Sequence, residues 1–239
     1  MTPMHAPELP HDFDHSHSDV SGGWLRAATF GAMDGLVSNT ALIAGVAAGA
    51  SSEAVVISGV AGLLAGAFSM ALGEYTSVTT ANEQIDSEVR VERRAFRTHP
   101  NAERAELIGM FQRIGLSEDT ATRATDELHG DENRAINFHL VQELGVDPTE
   151  KPSPLVAAGS SFLMFAIGAI IPLIPYLLGF ETLAAGLICG GVGLMIAGGL
   201  AAFITKQAVW FGSLRQLVFG VIAIGATYLV GSLLGTAIS

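Results

Sequence analysis

Five long apolar stretches alternate with polar segments along the chain. They cover residues 23–50, 54–79, 154–178, 182–205 and 214–237. Each is near the ~20 residues that an α-helix needs to cross a bilayer, and a soluble domain of 239 residues would not need five such runs. The pattern therefore predicts an all-α integral membrane protein with five transmembrane helices.

The second apolar stretch has no stop signal at its C-terminal end. Its helical pattern continues from Glu74 to about Arg97, up to Pro100, which predicts a helix of ~44 residues that projects far out of the membrane. Two to three short helices are expected to follow it. Their predicted N-termini lie near Asn101, Ser117 and Asp131.

All twelve Lys and Arg residues fall on one side of the five-span layout. Arg26 lies at the first membrane edge, Lys206 and Arg215 lie between spans four and five, and the others lie in the long middle segment. The two loops on the opposite side carry only Glu53 and Glu181. Because cytoplasmic loops retain Lys and Arg, the N-terminus is predicted to be inside and the C-terminus outside.

The composition excludes several classes of function. The net charge of −11 argues against a nucleic-acid partner, because phosphate binding needs a basic surface. The single cysteine, Cys189, excludes an intrachain disulfide. An enzyme is not expected, since neither a nucleophile–base pair nor a phosphate loop is recognisable in the sequence.

Two carboxylates lie within the predicted spans. Asp34 is about one-third of the way into span one, and Glu74 is near the inner end of span two, one turn from Met70. A charge inside a bilayer costs ~2.5–3.5 kcal/mol, so each is a candidate functional residue. Ser38 and Asn39 add neutral oxygens near Asp34. Carboxylate, neutral oxygen and thioether ligands together suit Fe²⁺ better than Mg²⁺ or Ca²⁺.

The segment between spans two and three holds fifteen acidic residues. Three pairs at helical spacing stand out: Glu88 and Glu92, Glu103 and Glu106, and His139 and Glu143. Each pair can present two ligands on one helix face. If several such faces converge, they form a multi-metal site of the carboxylate-bundle kind.

Each of these candidates also has an ordinary structural interpretation. Asp34 and Met70 can serve helix packing, and Glu74 can lie at the level of the lipid headgroups. Glu92 can belong to a solvated helix face on which it pairs with neighbouring arginines such as Arg93.

Six short motifs follow one another in a specific order and spacing. They are Asp34-Gly35-Leu36, Gly66–Tyr75, Glu92-Arg93-Arg94, the Glu103/Glu106 pair, Glu143-Leu144-Gly145 and Ile171–Tyr176. Together they resemble the vacuolar iron transporter family, as a bacterial-type member, over almost everything after residue 22.

The resemblance implies a proton-coupled exporter of Fe²⁺, and often of Mn²⁺, that works as a homodimer with the ion path along the dimer interface. It implies that Asp34 and Met70 are the translocation ligands. It also implies a cytoplasmic metal-collecting site lined by Glu92, Glu103, Glu106 and Glu143.

The chain departs from the family pattern at several positions. Ala95 stands where a further carboxylate is frequent, so fewer ions are expected in the cytoplasmic site. His139 stands where the plant-type pattern has Met, so it is expected to be a substitute ligand. Gly62 replaces a plant-type acid in span two, so Glu74 is expected to take over part of that role. Met33, one residue before the first-span carboxylate, is within reach of the path.

The sequence therefore predicts a metal/H⁺ antiporter that moves Fe²⁺, or Mn²⁺, out of the cytoplasm across a bacterial plasma membrane. Divalent metal ions, the lipid bilayer and a second copy are its expected partners, and no permanently bound cofactor is expected. The alternatives are a membrane-anchored metal sensor or store, and a proton-coupled carrier of a small organic cation, which would need an aromatic-lined cavity.

The predicted domains are a disordered His/Asp-rich tail (1–22), spans one and two (23–80), a cytoplasmic metal-binding three-helix domain formed by the extended second helix and the short helices (81–150), and spans three to five (151–239).

Overall fold

The computed structural model describes residues 23–238, with side chains through Leu233, and this part of the chain is helical without strands. The predicted disordered tail, residues 1–22, lies outside the described residues. Five helical segments are long and apolar enough to cross a membrane, which confirms the predicted all-α membrane protein. They are α1 (Trp24–Ala47), α2 (Ser52–Thr98), the broken segment Pro154–Leu177, α8 (Leu183–Ile204) and α9 (Val209–Ile238).

The third span is interrupted by its two prolines, as the sequence predicts. Helix α6 runs over Pro154–Ile170, a 3₁₀ turn follows at Ile171–Leu173, and the short α7 occupies Ile174–Leu177. Pro172 and Pro175 lack the N–H that would continue the α-helical ladder. The break therefore lies close to the far end of the span.

The last span begins earlier than predicted. Helix α9 starts at Val209, so Arg215 lies inside this helix and not in the loop between α8 and α9. Trp210 and Phe211 extend the apolar run, and the exposed Arg215 has an aliphatic stem long enough to reach the interface from within a helix.

Helix α2 continues beyond its apolar part to Thr98, as predicted from the absence of a stop signal. Three short helices follow: α3 (Pro100–Arg113), α4 (Glu118–His129) and α5 (Glu132–Leu144). Residues 80–98 of α2 together with α3, α4 and α5 are called the helical extension below.

Of the two predicted N-caps of the short helices, Ser117 is confirmed, and the helix predicted to run from Asp131 does begin there, with Asp131 as its N-cap residue. The Ser117 and Asp131 side chains accept backbone N–H groups at the starts of α4 and α5. The prediction for Asn101 is wrong, because α3 begins at Pro100 with His99 as its N-cap residue. Proline suits the first helical position, where its missing N–H has no intrahelical partner.

The helical extension has a hydrophobic core of its own. Side chains from α2, α3 and α5 form it: Phe96, Leu107, Met110, Ile136 and Leu140. The segment between α5 and α6, residues 145–153, contacts α2. Asn82 Nδ2 donates to the Pro152 carbonyl at 3.0 Å, and Lys151 forms an ion pair with Asp86. These contacts fix the extension to the base of the membrane helices.

The membrane helices approach one another at glycines. A Cβ added at Gly35 of α1 would meet the Phe165 backbone of α6, and one added at Gly168 of α6 would meet the Ala32 backbone of α1. Small residues allow such close backbone approach in lipid, where no hydrophobic force drives helices together. The contact holds α1 and α6 in the register that positions Asp34.

Candidate metal sites

Asp34 and Met70 line the same cavity, although they lie on different helices. The cavity has a volume of about 250 Å³ and lies between α1, α2 and the Phe165 side chain of α6. Ser38 and Asn39 line it as well. The structure thus brings together a carboxylate, a thioether and two neutral oxygen groups, the ligand types that the sequence singles out in α1 and α2. This space is called the Asp34 cavity below.

The Asp34 cavity opens toward a face of α2 that the other described helices leave largely uncovered. Ser38 and Ser69, which line it, are exposed, and Asp34 is only half-buried. Beside them α2 presents large apolar side chains, with Phe68 57% and Leu72 66% exposed. The cavity is therefore not closed by the chain's own described helices.

Glu74 lies one turn from Met70 but is not part of the cavity lining. Its Oε1 accepts a hydrogen bond from Arg26 Nη2 at 2.5 Å. The Glu74 side chain is 13% exposed and the Arg26 side chain 67%. The sequence interpretation missed this pair, although both residues were placed at the same membrane edge, and that placement is the signal that predicts it.

Met33 lies on the other side of α1. It lines a separate cavity of about 440 Å³ together with residues of α6 and α8. Met33 therefore does not line the Asp34 cavity, because consecutive residues of a helix point in directions ~100° apart, and its place on an ion path stays a prediction.

A second group of candidate ligands converges in the helical extension. Glu92 of α2, Glu103 of α3 and His139 of α5 each offer a ligand atom, and these atoms lie within 4.8 Å of one another. His139 Nδ1 is 3.8 Å from Glu92 Oε2 and 3.6 Å from Glu103 Oε2. This group is called the Glu92 cluster below.

His139 is fully buried, and neither of its ring nitrogens has a hydrogen-bond partner among the residues that the structure describes. The Phe96 ring packs edge-on against it, with ring centroids 5.3 Å apart. Burial lowers the pKa of His139, so its imidazole is neutral and offers a lone pair at neutral pH. Buried polar atoms without partners are rare in folded proteins, and a neutral imidazole beside two carboxylates is a donor set for a divalent transition metal.

The Glu92 cluster is also crowded with negative charge. Burial raises the pKa of Glu92 to about 7, and four further carboxylates add to the effect, in the order Glu103, Glu143, Glu106 and Glu88. Burial, followed by Glu106 and Glu143, also raises the pKa of Glu103. The other four glutamates predicted for this segment therefore all act on Glu92, and a cation placed among them would relieve this repulsion.

The arginines next to Glu92 do not neutralise it. Arg93 Nε lies 3.8 Å from Glu132 Oε1, and Arg97 Nε lies 3.5 Å from the same oxygen. Glu92 Oε2 is buried and has no hydrogen-bond partner in the part of the chain that the structure describes. The expectation that Glu92 and Arg93 pair on a solvated face is therefore wrong for this residue.

Comparison with known proteins gives these two sites a family context. A sequence model of the VIT family matches residues 25–232. The chain belongs to the VIT family. It is 34% identical to a "Vacuolar iron transporter" of Acanthamoeba castellanii over 92% of this chain and 82% of the relative. It is also 32% identical to "Vacuolar iron transporter homolog 5" of Oryza sativa, over 86% of this chain and 77% of that protein.

The VIT-family match confirms the resemblance that the six motifs indicate. "Vacuolar iron transporter 1" of Arabidopsis thaliana is more distant, at 28% identity, yet it aligns over 93% of this chain and 91% of its own length. The matched residues include all five candidate spans and the helical extension between them. Both candidate metal sites therefore lie inside the region that the chain shares with the VIT family.

Proposed function

We propose that this protein transports Fe²⁺, and also Mn²⁺, out of the cytoplasm in exchange for protons. One observation carries the proposal: Met70 and Glu92 lie on the same uninterrupted helix, so α2 joins the Asp34 cavity to the Glu92 cluster. The names of the relatives, which are iron transporters, support the choice of metal.

The helical extension is the proposed collecting site. Its carboxylates attract cations to the cytoplasmic side, where the distribution of Lys and Arg predicts it to lie. Glu92, Glu103 and His139 then replace part of the hydration shell. This step favours a transition metal over Mg²⁺, because imidazole suits Fe²⁺ whereas Mg²⁺ prefers oxygen ligands and keeps its waters.

The Asp34 cavity is the proposed translocation site. The ion passes from the extension to the Asp34 carboxylate and the Met70 thioether. A metal ion and a proton compete for the same carboxylate lone pairs, so a proton that arrives from the outside displaces the metal from Asp34. The exchange couples outward metal flux to inward proton flux.

A homodimer is part of the proposal. Asp34 and Ser38 border an open face that would otherwise contact lipid, and polar groups are costly there. A second copy packed against the exposed face of α2 would close the cavity and cover Phe68 and Leu72. Small residues on that face, such as Ala65 and Ser69, permit close helix approach.

The decisive experiment is uptake of Fe²⁺ and Mn²⁺ into proteoliposomes with and without an imposed pH gradient. We expect gradient-driven flux in the wild type and none in Asp34→Ala, which should still purify as a dimer. Glu53→Gln is the matched control, since Glu53 is an exposed acid in the first turn of α2, at the opposite membrane edge from the extension. Full flux in Asp34→Ala would refute the mechanism. Metal binding without flux in the wild type would favour a membrane-anchored sensor or store.

A further inference from the structure

Asn39 of α1 is almost fully buried, at 2% exposure, but only half of its amide has a partner. Its Nδ2 donates a hydrogen bond to the Ala169 carbonyl of α6 at 2.6 Å. Its Oδ1 is buried and accepts no hydrogen bond from any residue in the described range 23–233. An unpaired buried oxygen of this kind calls for a physical explanation.

The orientation of this amide follows from its partner. The Ala169 carbonyl can only accept a hydrogen bond, so the nitrogen of the Asn39 amide must face it. The two ends of an amide look alike in shape, but here the hydrogen bond distinguishes them. The Asn39 oxygen must therefore point away from α6.

Asn39 Oδ1 faces helix α2 at Gly62, which has no side chain. A Cβ added at Gly62 would lie 3.2 Å from Asn39 Oδ1. Asn39 and Gly62 both line the Asp34 cavity, together with Asp34 and Met70. Oδ1 thus belongs to the wall of the cavity, in the space that a larger residue at Gly62 would fill.

The position of Asn39 along α1 places it beyond Asp34. Arg26 at the start of α1 contacts Glu74, so α1 runs away from the helical extension. Asn39 is five residues further along α1 than Asp34, which corresponds to ~7.5 Å. An ion that leaves Asp34 and Met70 for the far side of the membrane would meet the Asn39 oxygen next.

We propose that Asn39 Oδ1 is a further ligand of the transported cation, on the exit side of Asp34. This assignment rests on the proposed transport function. Amide oxygens coordinate hard and borderline divalent cations. Unlike a carboxylate, the amide carries no charge and takes up no proton, so it can hold the ion briefly without competing with Asp34 for the proton. Asn39 thereby helps to set the metal affinity of the cavity.

The test measures KM and maximal rate for Fe²⁺ and Mn²⁺ uptake in proteoliposomes, together with the thermal unfolding of each purified variant. Loss of the oxygen in Asn39→Leu should raise KM by ~10-fold or more, the range found when groups that support a metal site are removed. Thr40→Val is the matched control. Thr40 is the next residue and is equally buried, but its hydroxyl donates to the Leu36 carbonyl of its own helix, and its side chain faces Gly190 of α8.

The Asn39→Asp variant distinguishes a metal-ligand role of Asn39 from a role that only anchors α1 to α6. It also tests the proposal if the Asn39→Leu variant does not fold. A ligand role predicts a lower KM and a lower maximal rate, because the added charge holds the ion longer. If Asn39 only anchors α1 to α6, the ionised Asp cannot donate to Ala169, so unfolding temperature falls while KM stays unchanged. That second result would overturn the proposal.

The test also separates this assignment from the transport function. Wild-type protein without gradient-driven flux would contradict the proposed function itself. Wild-type flux that Asp34→Ala abolishes, with unchanged KM in both Asn39 variants, would contradict only the assignment of Asn39. A KM change in Thr40→Val as large as in Asn39→Leu would overturn it too, because the effect would then be one of helix packing.

Discussion

The Glu92 cluster and the Asp34 cavity differ in how much charge they concentrate. The cluster places a buried imidazole between two carboxylates, and three more glutamates act on them. The cavity contains one carboxylate, and its other polar groups are neutral. The first arrangement is suited to capture a cation from dilute solution. Under the proposed function, the second holds a cation weakly enough to release it, as a transport path requires.

The two regions also differ in how they are packed. The helical extension has a core of large side chains around Leu107 and Leu140, as expected for a domain in water. The membrane helices α1 and α6 meet through backbone contacts at Gly35 and Gly168. Each region uses the packing suited to its solvent, since burial of apolar area stabilises a fold only where that area would otherwise contact water.

The largest expected effect separates the two sites by their kinetics. We expect Asp34→Asn to lower the maximal rate of Fe²⁺ uptake by ~100-fold or more, since no proton-exchanging ligand remains. Glu103→Gln should instead raise KM by ~10-fold or more and leave the maximal rate nearly unchanged, because it weakens capture. Asp119→Asn is the control, as its exposed side chain pairs with Arg123 on the surface of α4. A lowered maximal rate in Glu103→Gln would mean that the two sites are not separate steps.

The packing contrast is tested by adding one methyl group. Gly168→Ala forces a Cβ against the Ala32 carbonyl and should destabilise the protein by about 1–3 kcal/mol, the usual cost of overpacking. Gly159→Ala in the same helix α6 is the control, because no heavy atom lies within 4 Å of its added Cβ. Thermal unfolding of the detergent-solubilised protein measures both. Equal unfolding temperatures would show that α1 and α6 are not held by backbone contact.

The stability and metal binding of the helical extension should depend on pH. The pKa of Glu92 rises from 4.5 to about 7 on folding, so its contribution to stability is present below pH 4.5 and is lost as pH rises through about 7. The metal-free extension should therefore unfold more easily at pH 8 than at pH 5.5. Mn²⁺ binding should show the opposite trend and tighten as pH rises, because the metal must displace the Glu92 proton.

Calorimetric titration of Mn²⁺ at pH 6 and pH 8 checks this trend. Glu92→Gln should flatten both the stability and the binding profiles. An unchanged pH profile in that variant would assign the titration to another group of the cluster.

The smallest expected effect concerns the pair between the two sites. Arg26 is mostly exposed, so its ion pair with Glu74 is expected to contribute no more than about 1 kcal/mol. Arg26→Gln and Glu74→Gln should each change Fe²⁺ uptake by less than ~5-fold. If Glu74→Gln alone abolished uptake, Glu74 would be a ligand on the path and not only the partner of Arg26.

The long α2 helix and the broken third span were predictable from local sequence. Residues 75–98 contain neither Gly nor Pro, so nothing ends α2 before Pro100. Pro172 and Pro175 cannot continue a helical ladder, so the third span must break near them. Local rules sufficed in these places because the outcome depends on backbone groups within one or two turns.

The convergence of ligands was not predictable by the same reasoning. Helical spacing pairs Glu88 with Glu92 and His139 with Glu143, but it does not determine the rotation of α2, α3 and α5 about one another. That rotation depends on the packing of the core around Phe96, and it brings Glu92 onto His139. The orientation of Asn39 depends on a carbonyl 130 residues away, which no local pattern encodes.

Helix α2 is a single rigid element that connects the Glu92 cluster to the Asp34 cavity. It is continuous over 47 residues, and its stretch from Glu74 to Thr98 contains neither Gly nor Pro, the residues at which sharp helix kinks usually occur. Glu92 and Met70 are 22 residues apart on it, or ~33 Å at 1.5 Å per residue. A tilt of ~5° about one of these points therefore displaces the other by ~3 Å, comparable with a metal–ligand bond length. Under the proposed function, contraction of the glutamates around a captured ion would therefore shift the membrane cavity mechanically as well as change its electrostatic potential.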